Sequence, residues 1–238
     1  LRHAADPAYR AMTEGNAMAR DTLFSVLPAR LAEGLIAQAS TVALAPDQAL
    51  FRTGDPCDGC YHVIEGLMKV TVVLPSRRER ILAILGAGGF IGELSLMDGA
   101  PRSASVVAIR PSKLWFITRA AFDAFGAAHP EIYRHIADLL ARRLRDNSAT
   151  LAMSSLSIKA RAARALLSLG EAFGKDVGAG RILIRQKVSQ GDLAAMAGIA
   201  RENLSRILQD WMDAKLVSRL AGYYCLENRA TLERAADA

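Results

Sequence analysis

The sequence predicts an α+β protein: a β-rich sandwich or barrel, then a long helix leading into a C-terminal winged helix-turn-helix. Three observations predict it. Short β-branched runs alternate with turn signals between residues 40 and 118. One apolar stripe at helical spacing follows Pro130. Residues 190–208 then place a small residue, a glycine and an apolar anchor where two helices would cross at a turn. At 238 residues and 51% hydrophobic, the chain is long enough to pack two cores.

Taken in order, residues 1–20 are polar and alanine-rich and are expected to form a loose helix or arm without chemistry. From Asp21 the residues Leu23, Phe24, Leu27, Leu31, Leu35 and Ile36 fall at helical spacing, with Asp21 or Thr22 as cap and Pro28 limiting the first part. Strands are expected at 41–44, 49–52, 61–64, 67–73, 80–85, 103–108 and 113–117, punctuated by Gly54-Asp55, Glu65-Gly66 and Pro75-Ser76. After a short helix at 120–125, Pro130 opens a helix to about Met153 whose apolar positions are Ile132, Ile136, Leu139, Leu140, Leu144 and Leu151. Ser154-Ser155 offers a hinge. Residues 158–173 read as an amphipathic helix closed by Gly174, and 181–187 as a strand. Ser189 begins two helices, with Ala194 small at their crossing, Gly198 at the turn and Leu204 as anchor. Strands at 216–220 and 223–226, joined through Ala221-Gly222, complete a wing.

The stretch from Gly86 to Val106 carries the chemistry. Gly88, Gly89 and Gly92 let the backbone approach a ligand, and 91–97 has the spacing of a short helix whose first amides could face a phosphate. Arg102 offers a planar fork for two phosphate oxygens, while Glu93 only accepts, which suits a ribose hydroxyl. One sugar phosphate satisfies both. Replacing Arg102 is expected to abolish binding without touching core packing.

Phe90-Ile-Gly-Glu-Leu, followed by Arg102-Ser103-Ala104, strongly resembles the phosphate-binding cassette of cyclic-nucleotide-binding domains in the CRP/FNR family of bacterial transcription regulators. The resemblance implies a double-stranded β-roll, with Gly54, Gly66, Gly88 and Gly92 at the family's turn positions. It implies Glu93 on the ribose 2′-hydroxyl and Arg102 with Ser103 on the cyclic phosphate, and a ligand set that also includes Gly92, Leu94, Arg143, Asn147 and Ser148. The long helix resembles the family's dimerisation helix, which pairs along its stripe as a coiled coil. Asn147 and Ser148 fall on that seam, where the family reads the base. Asn147 stands where cAMP receptors often have threonine, and its amide suits either adenine or guanine, so cAMP and cGMP both remain open. A register-fixing Asn is the alternative.

In the C-terminal part, Ser189, Gln190, Arg201, Glu202, Ser205 and Arg206 are the expected DNA contacts. Arginine suits guanine O6 and N7, and glutamate the N4 amine of cytosine. The Arg-Glu pair resembles the cAMP receptor branch and its TGTGA half-site, while Glu202 with Ser205-Arg206 also fits the FNR branch and TTGAT. A two-fold symmetric operator with TGA and TCA arms is expected.

Two other chemistries fit poorly. Gly86-Ala-Gly88-Gly-Phe-Ile-Gly92 has the spacing G-x-G-x-x-x-G, no acid lies between Asp98 and Asp123, and no βαβ alternation surrounds it, which argues against a dinucleotide fold. Cys57, Cys60 and His62 fall short of four metal ligands with Cys225 far away, so 57–60 reads as a hairpin turn and no metal is expected. The family's iron–sulfur sensors carry an N-terminal cysteine cluster that is missing from this sequence.

Net charge is +6, and residues 157–238 hold 13 Lys+Arg against 9 Asp+Glu. A basic C-terminal third points to double-stranded DNA rather than a membrane, since no apolar run approaches the ~20 residues of a spanning helix. Three cysteines and the lack of a charged-then-apolar opening segment give a cytoplasmic expectation. The expected organisation is an arm at 1–20, a cyclic-nucleotide-binding β-roll at 21–128, a dimerisation helix and hinge at 129–156, and the winged helix-turn-helix at 157–238. The function so read is that of a homodimeric, cAMP- or cGMP-responsive transcription regulator, not an enzyme, with RNA polymerase as a further partner. The alternatives are a family member indifferent to cyclic nucleotides, constitutive or redox-controlled through Cys57 and Cys60, and a nucleotide-binding subunit acting on a partner protein.

Overall fold

Pro28 decides where the first described helix begins. Its ring fixes φ and removes a donor, so it serves as the N-cap of α1 (Ala29–Ile36) rather than sitting inside it. The computed structural model describes residues 27–152 and 155–237. The expected arm, the start of the first expected helix with Leu23 and Phe24, and Ser154 lie outside those residues. The chain divides into two compact units, the first ending at Ser148.

The first unit is built on antiparallel strands β1 (Ser40–Leu44), β2 (Ala49–Phe51), β3 (Gly59–Val73), β4 (Glu79–Leu85), β5 (Phe90–Ile91) and β6 (Ser105–Thr118), in the order β1-β6-β3-β4, with β2 on β6 and β5 on β3. Two expected breaks are corrected. Glu65-Gly66 does not turn the chain, because register shifts between Val63 and Met68 absorb it within one long strand. Likewise β6 runs through Pro111, because the Ser112 hydroxyl takes over the ladder there, accepting from Leu67 N at 3.1 Å and donating to Arg110 O at 2.8 Å. The short strand β5 is an addition to the expected set, and the helix after it, α2 (Glu93–Asp98), starts two residues later than its spacing predicts.

Two apolar clusters fill this unit. One lies among the strands, around Tyr61, Val63, Met68, Ile91, Val106 and Leu114. The other joins α1, α3 (Arg119–Ala128) and the first half of α4 (Ile132–Ala152) to the sheet through Cys60, Trp115 and Ile117. Ile132, Ile136 and Leu139 are fully buried there, each contributing roughly 1.5–3 kcal/mol by removal from water. The continuous stripe predicted for α4 is therefore divided: its first half is consumed by the chain's own core, whereas Leu144 is 68% exposed.

In the second unit, Ser157 caps α5 (Ile158–Phe173), its hydroxyl accepting from Ala160 N at 3.1 Å, and the helix buries a line of alanines and leucines ending at Phe173. The hairpin β7 (Gly174–Asp176) and β8 (Ile182–Ile184) follows. Ser189 then caps α6 (Gln190–Ala197), accepting from Asp192 N at 3.0 Å. Gly198, at φ +63° in the left-handed region, turns the chain into α7 (Arg201–Asp213). The wing is β9 (Val217–Leu220) and β10 (Tyr223–Leu226), which join β7 and β8 in one sheet of order β7-β8-β10-β9. A last helix, α8 (Arg229–Ala236), packs on α5 and was missing from the sequence expectation.

Candidate ligand site and nucleic-acid interface

The candidate pocket forms where β5 ends. Phe90 and Ile91 pair with His62 and Tyr61 of β3, and the chain then reverses through Gly92 at φ +91°. Only glycine fits: its conformation is left-handed, and a Cβ would collide with Nη1 of Arg102. Glu93 opens α2 from there, buried, and forms an ion pair with Arg143 of α4. Arg143 Nη2 also donates to Phe90 O at 2.6 Å.

Arg102 corrects an expectation. The arginine read as an open phosphate contact is 2% exposed. Its Nη2 donates to Asp58 Oδ1 at 2.5 Å and to Gly59 O at 2.7 Å, and its Nη1 to Gly92 O at 3.1 Å. The guanidinium carbon lies 4.3 Å from the centroid of Phe51. A side chain so enclosed belongs to the packing as well as to the pocket. The loop before β3 is tied to the same segment, Arg102 N donating to Asp55 O and Gly54 N to Arg102 O, both at 2.8 Å.

Among the other predicted ligand residues, Leu94, Ser103, Asn147 and Ser148 are exposed. The Ser148 hydroxyl is turned back on its own helix, donating to Leu144 O at 2.9 Å. Gly92, Glu93, Arg102 and Arg143 are thus brought together by contact, and the remainder stand at the surface. Sequence reasoning passed over Asp58 and Tyr61. The Tyr61 hydroxyl donates to Asp58 Oδ2 at 2.6 Å, so one carboxylate holds both a phenol and the key guanidinium. Asp58 lay inside a segment read only as a turn, and no spacing rule links it to an arginine 44 positions away.

The segment read as a hairpin turn is otherwise a loop running into β3. Cys60 is buried, and burial pushes its thiol far above the ordinary range. His62 is stacked on Trp115, ring centroids 5.3 Å apart, and burial lowers its pKa to about 3. Among the described residues no cluster of His, Cys, Asp and Glu is suited to a metal ion.

The second site lies on α7. Leu204, Ile207, Leu208 and Trp211 bury one face, which leaves Arg201, Glu202, Ser205 and Arg206 exposed on the other. Arg206 Nη2 donates to Asn203 Oδ1 at 2.9 Å. Ser189 is exposed and Gln190 half-buried at the start of α6. Beside them, Lys187 Nζ lies 5.1 Å from the ring centroid of Tyr223 on the wing.

Residues 41–129 match the family model of the cyclic nucleotide-binding domain, and residues 160–235 that of the Crp-like helix-turn-helix domain. The chain is 30% identical over 195 residues to the CRP-like cAMP-activated global transcriptional regulator of Mycobacterium tuberculosis, spanning 82% of this chain and 87% of that protein. The chain belongs to the CRP/FNR family of transcription regulators. It is likewise 33% identical to the cyclic AMP receptor protein of Thermus thermophilus over 79% of this chain and 83% of that one. Its fold is similar to that of FixK2 from Bradyrhizobium japonicum, at a TM-score of 0.74 and 19% identity, covering 84% of this chain and 98% of that one.

As a CRP/FNR regulator the chain is a DNA-binding protein with a cyclic-nucleotide-binding β-roll and is not an enzyme. Regulators of this family bind DNA and act as dimers. No described helix is long and apolar enough to cross a membrane.

Proposed function

We propose that this regulator is a cytoplasmic homodimer that answers to a cyclic purine nucleotide, cAMP or cGMP, and then binds a two-fold symmetric operator to act on RNA polymerase. The observation that carries the reading is the gathering of Gly92, Glu93 and Arg102 at one reversal of the chain, with Arg143 of the long helix joined to Glu93. In it Arg102 and Ser103 take the cyclic phosphate, Glu93 takes the ribose 2′-hydroxyl, and Leu94 packs at the rim. Asn147 and Ser148, exposed beyond Leu144 on α4, read the base from the dimer seam. The nucleotide acts by binding one dimer geometry better than the other.

The two mycobacterial and Thermus relatives are named for cAMP, which favours the adenine nucleotide. Asn147 keeps guanine in play, since its amide can donate to O6. On the DNA side, Arg201, Glu202, Ser205 and Arg206 read arms containing TGA and TCA, with Ser189 and Gln190 against the backbone. Redox control through Cys57 and Cys60 has less support, because a buried thiol held protonated is a poor nucleophile. Calorimetric titration of the protein with cAMP and with cGMP tests the reading: saturable binding of one or both supports it, and no binding of either overturns it.

A further inference from the structure

The functional group meant for the phosphate already holds an anion. Arg102 gives its Nη2 hydrogens to Asp58 and to Gly59 O, and an Nη1 hydrogen to Gly92 O. Its Nε is buried with no acceptor among the described residues. Around this guanidinium stand two backbone carbonyls, the rings of Phe51 and Tyr61, and the Asp58 carboxylate. Of these groups only the carboxylate is both ionic and mainly exposed: the Asp58 side chain is 55% accessible, the Arg102 side chain 1%. The Asp58 carboxylate thus marks the side of Arg102 that faces solvent.

We propose that Asp58 is a built-in competitor for the arginine, so that ligand affinity at this site is set by exchange of a carboxylate for a phosphate. The inference rests on the cyclic-nucleotide reading and adds to it the two residues that tune affinity. Asp58 and a cyclic phosphate diester each bring one negative charge and oxygen acceptors to the same donors, and two anions side by side repel. Tyr61 strengthens the resident anion by donating to its second oxygen at 2.6 Å. The exchange needs only a side-chain rotation, because the Asp58 backbone is held apart from its carboxylate, its carbonyl accepting from Arg119 N at 2.9 Å. Once freed, the carboxylate is replaced by a ligand whose oxygens meet Nη2 and the unused Nε.

Calorimetry of the full chain with cAMP and with cGMP tests this, using D58N, Y61F and the double variant D58N/R102A. Asn keeps the shape of Asp without its charge, at a position exposed enough to tolerate it. D58N binds at least about fivefold tighter than the wild type, Y61F binds tighter by a smaller factor, and D58N/R102A loses binding. Weaker or unchanged binding by D58N, with the wild type still binding, overturns the competitor and leaves the nucleotide reading intact, Asp58 then being a residue that positions the fork. Tightening that survives removal of Arg102 also overturns it, since the gain is then general charge. No binding of either nucleotide by wild type or D58N overturns both.

Discussion

Arg143, fifty residues beyond Glu93, forms an ion pair with it and also reaches the carbonyl of Phe90. The acid at the start of α2 is therefore held by the long helix, and the candidate ribose contact and the helix that carries Leu144 are mechanically joined. Glu93→Ala is expected to weaken cyclic-nucleotide binding about tenfold to a hundredfold, the worth of a hydrogen bond to a charged group. Calorimetry reads it. Arg143→Ala should weaken binding less, because Glu93 keeps its acceptor oxygens but loses the partner that fixes them.

Arg102→Ala is expected to abolish nucleotide binding and also to lower stability. The carbonyls of Gly59 and Gly92 lose their donor, and each buried acceptor so stranded costs ~1–3 kcal/mol. Urea unfolding checks the second part. An Arg102→Ala protein as stable as the wild type would return the arginine to the open position that its sequence context implied.

How far the sequence carried can be judged from such cases. Strong local signals are legible in the sequence: Gly174 closes α5, Ser189 caps α6, Gly198 makes the turn, and Tyr223 to Leu226 forms the wing strand. Each depends on one residue's own chemistry. What stayed hidden depends on distant pairing. The bulges that carry β3 past Gly66 are set by Ser112 on the neighbouring strand. Half of the α4 stripe proved to be core because α1 and α3 cover it, which the stripe itself does not reveal. Glu93 and Arg102 were legible from their motif, whereas Asp58 and Tyr61 entered only through the fold.

The exposed Leu144 predicts its own experiment. On a helix whose Ile132, Ile136 and Leu139 are buried in the chain's own core, it is, in the proposed homodimer, the position a second copy would cover. Leu144→Glu should shift the protein toward monomer in analytical ultracentrifugation without loss of helical circular dichroism. An unchanged dimer would place the seam elsewhere.

His62 predicts a pH dependence. Burial lowers its pKa to about 3 from an ordinary 6.5, so the unfolded chain binds a proton that the folded one refuses. Its contribution is complete above pH 6.5 and is lost as pH falls, at up to about 1.4 kcal/mol per unit. Between pH 6.5 and 5 most carboxylates are still ionised, so unfolding free energy there should decline with a slope that His62→Phe flattens. A His62→Phe protein with the wild-type slope would contradict it.

On DNA, Arg206→Ala should cost ~1–3 kcal/mol per half-site and relax the preference for the guanine of TGA. Asn203→Ala should act in the same direction but more weakly, since Asn203 holds that guanidinium at 2.9 Å. Selection from random DNA by each variant distinguishes lost discrimination from uniformly weaker binding.

The central claim joins the two sites: occupancy at Glu93 and Arg102 changes what Arg201, Glu202 and Arg206 can bind. Affinity for a symmetric TGA/TCA operator, measured at fixed salt with no nucleotide, with cAMP and with cGMP, tests that claim most directly. The account predicts that one of the nucleotides tightens operator binding at least about fivefold, within the usual range of coupling between sites, and that Arg102→Ala removes the effect. Operator affinity that is the same with and without either nucleotide would contradict it.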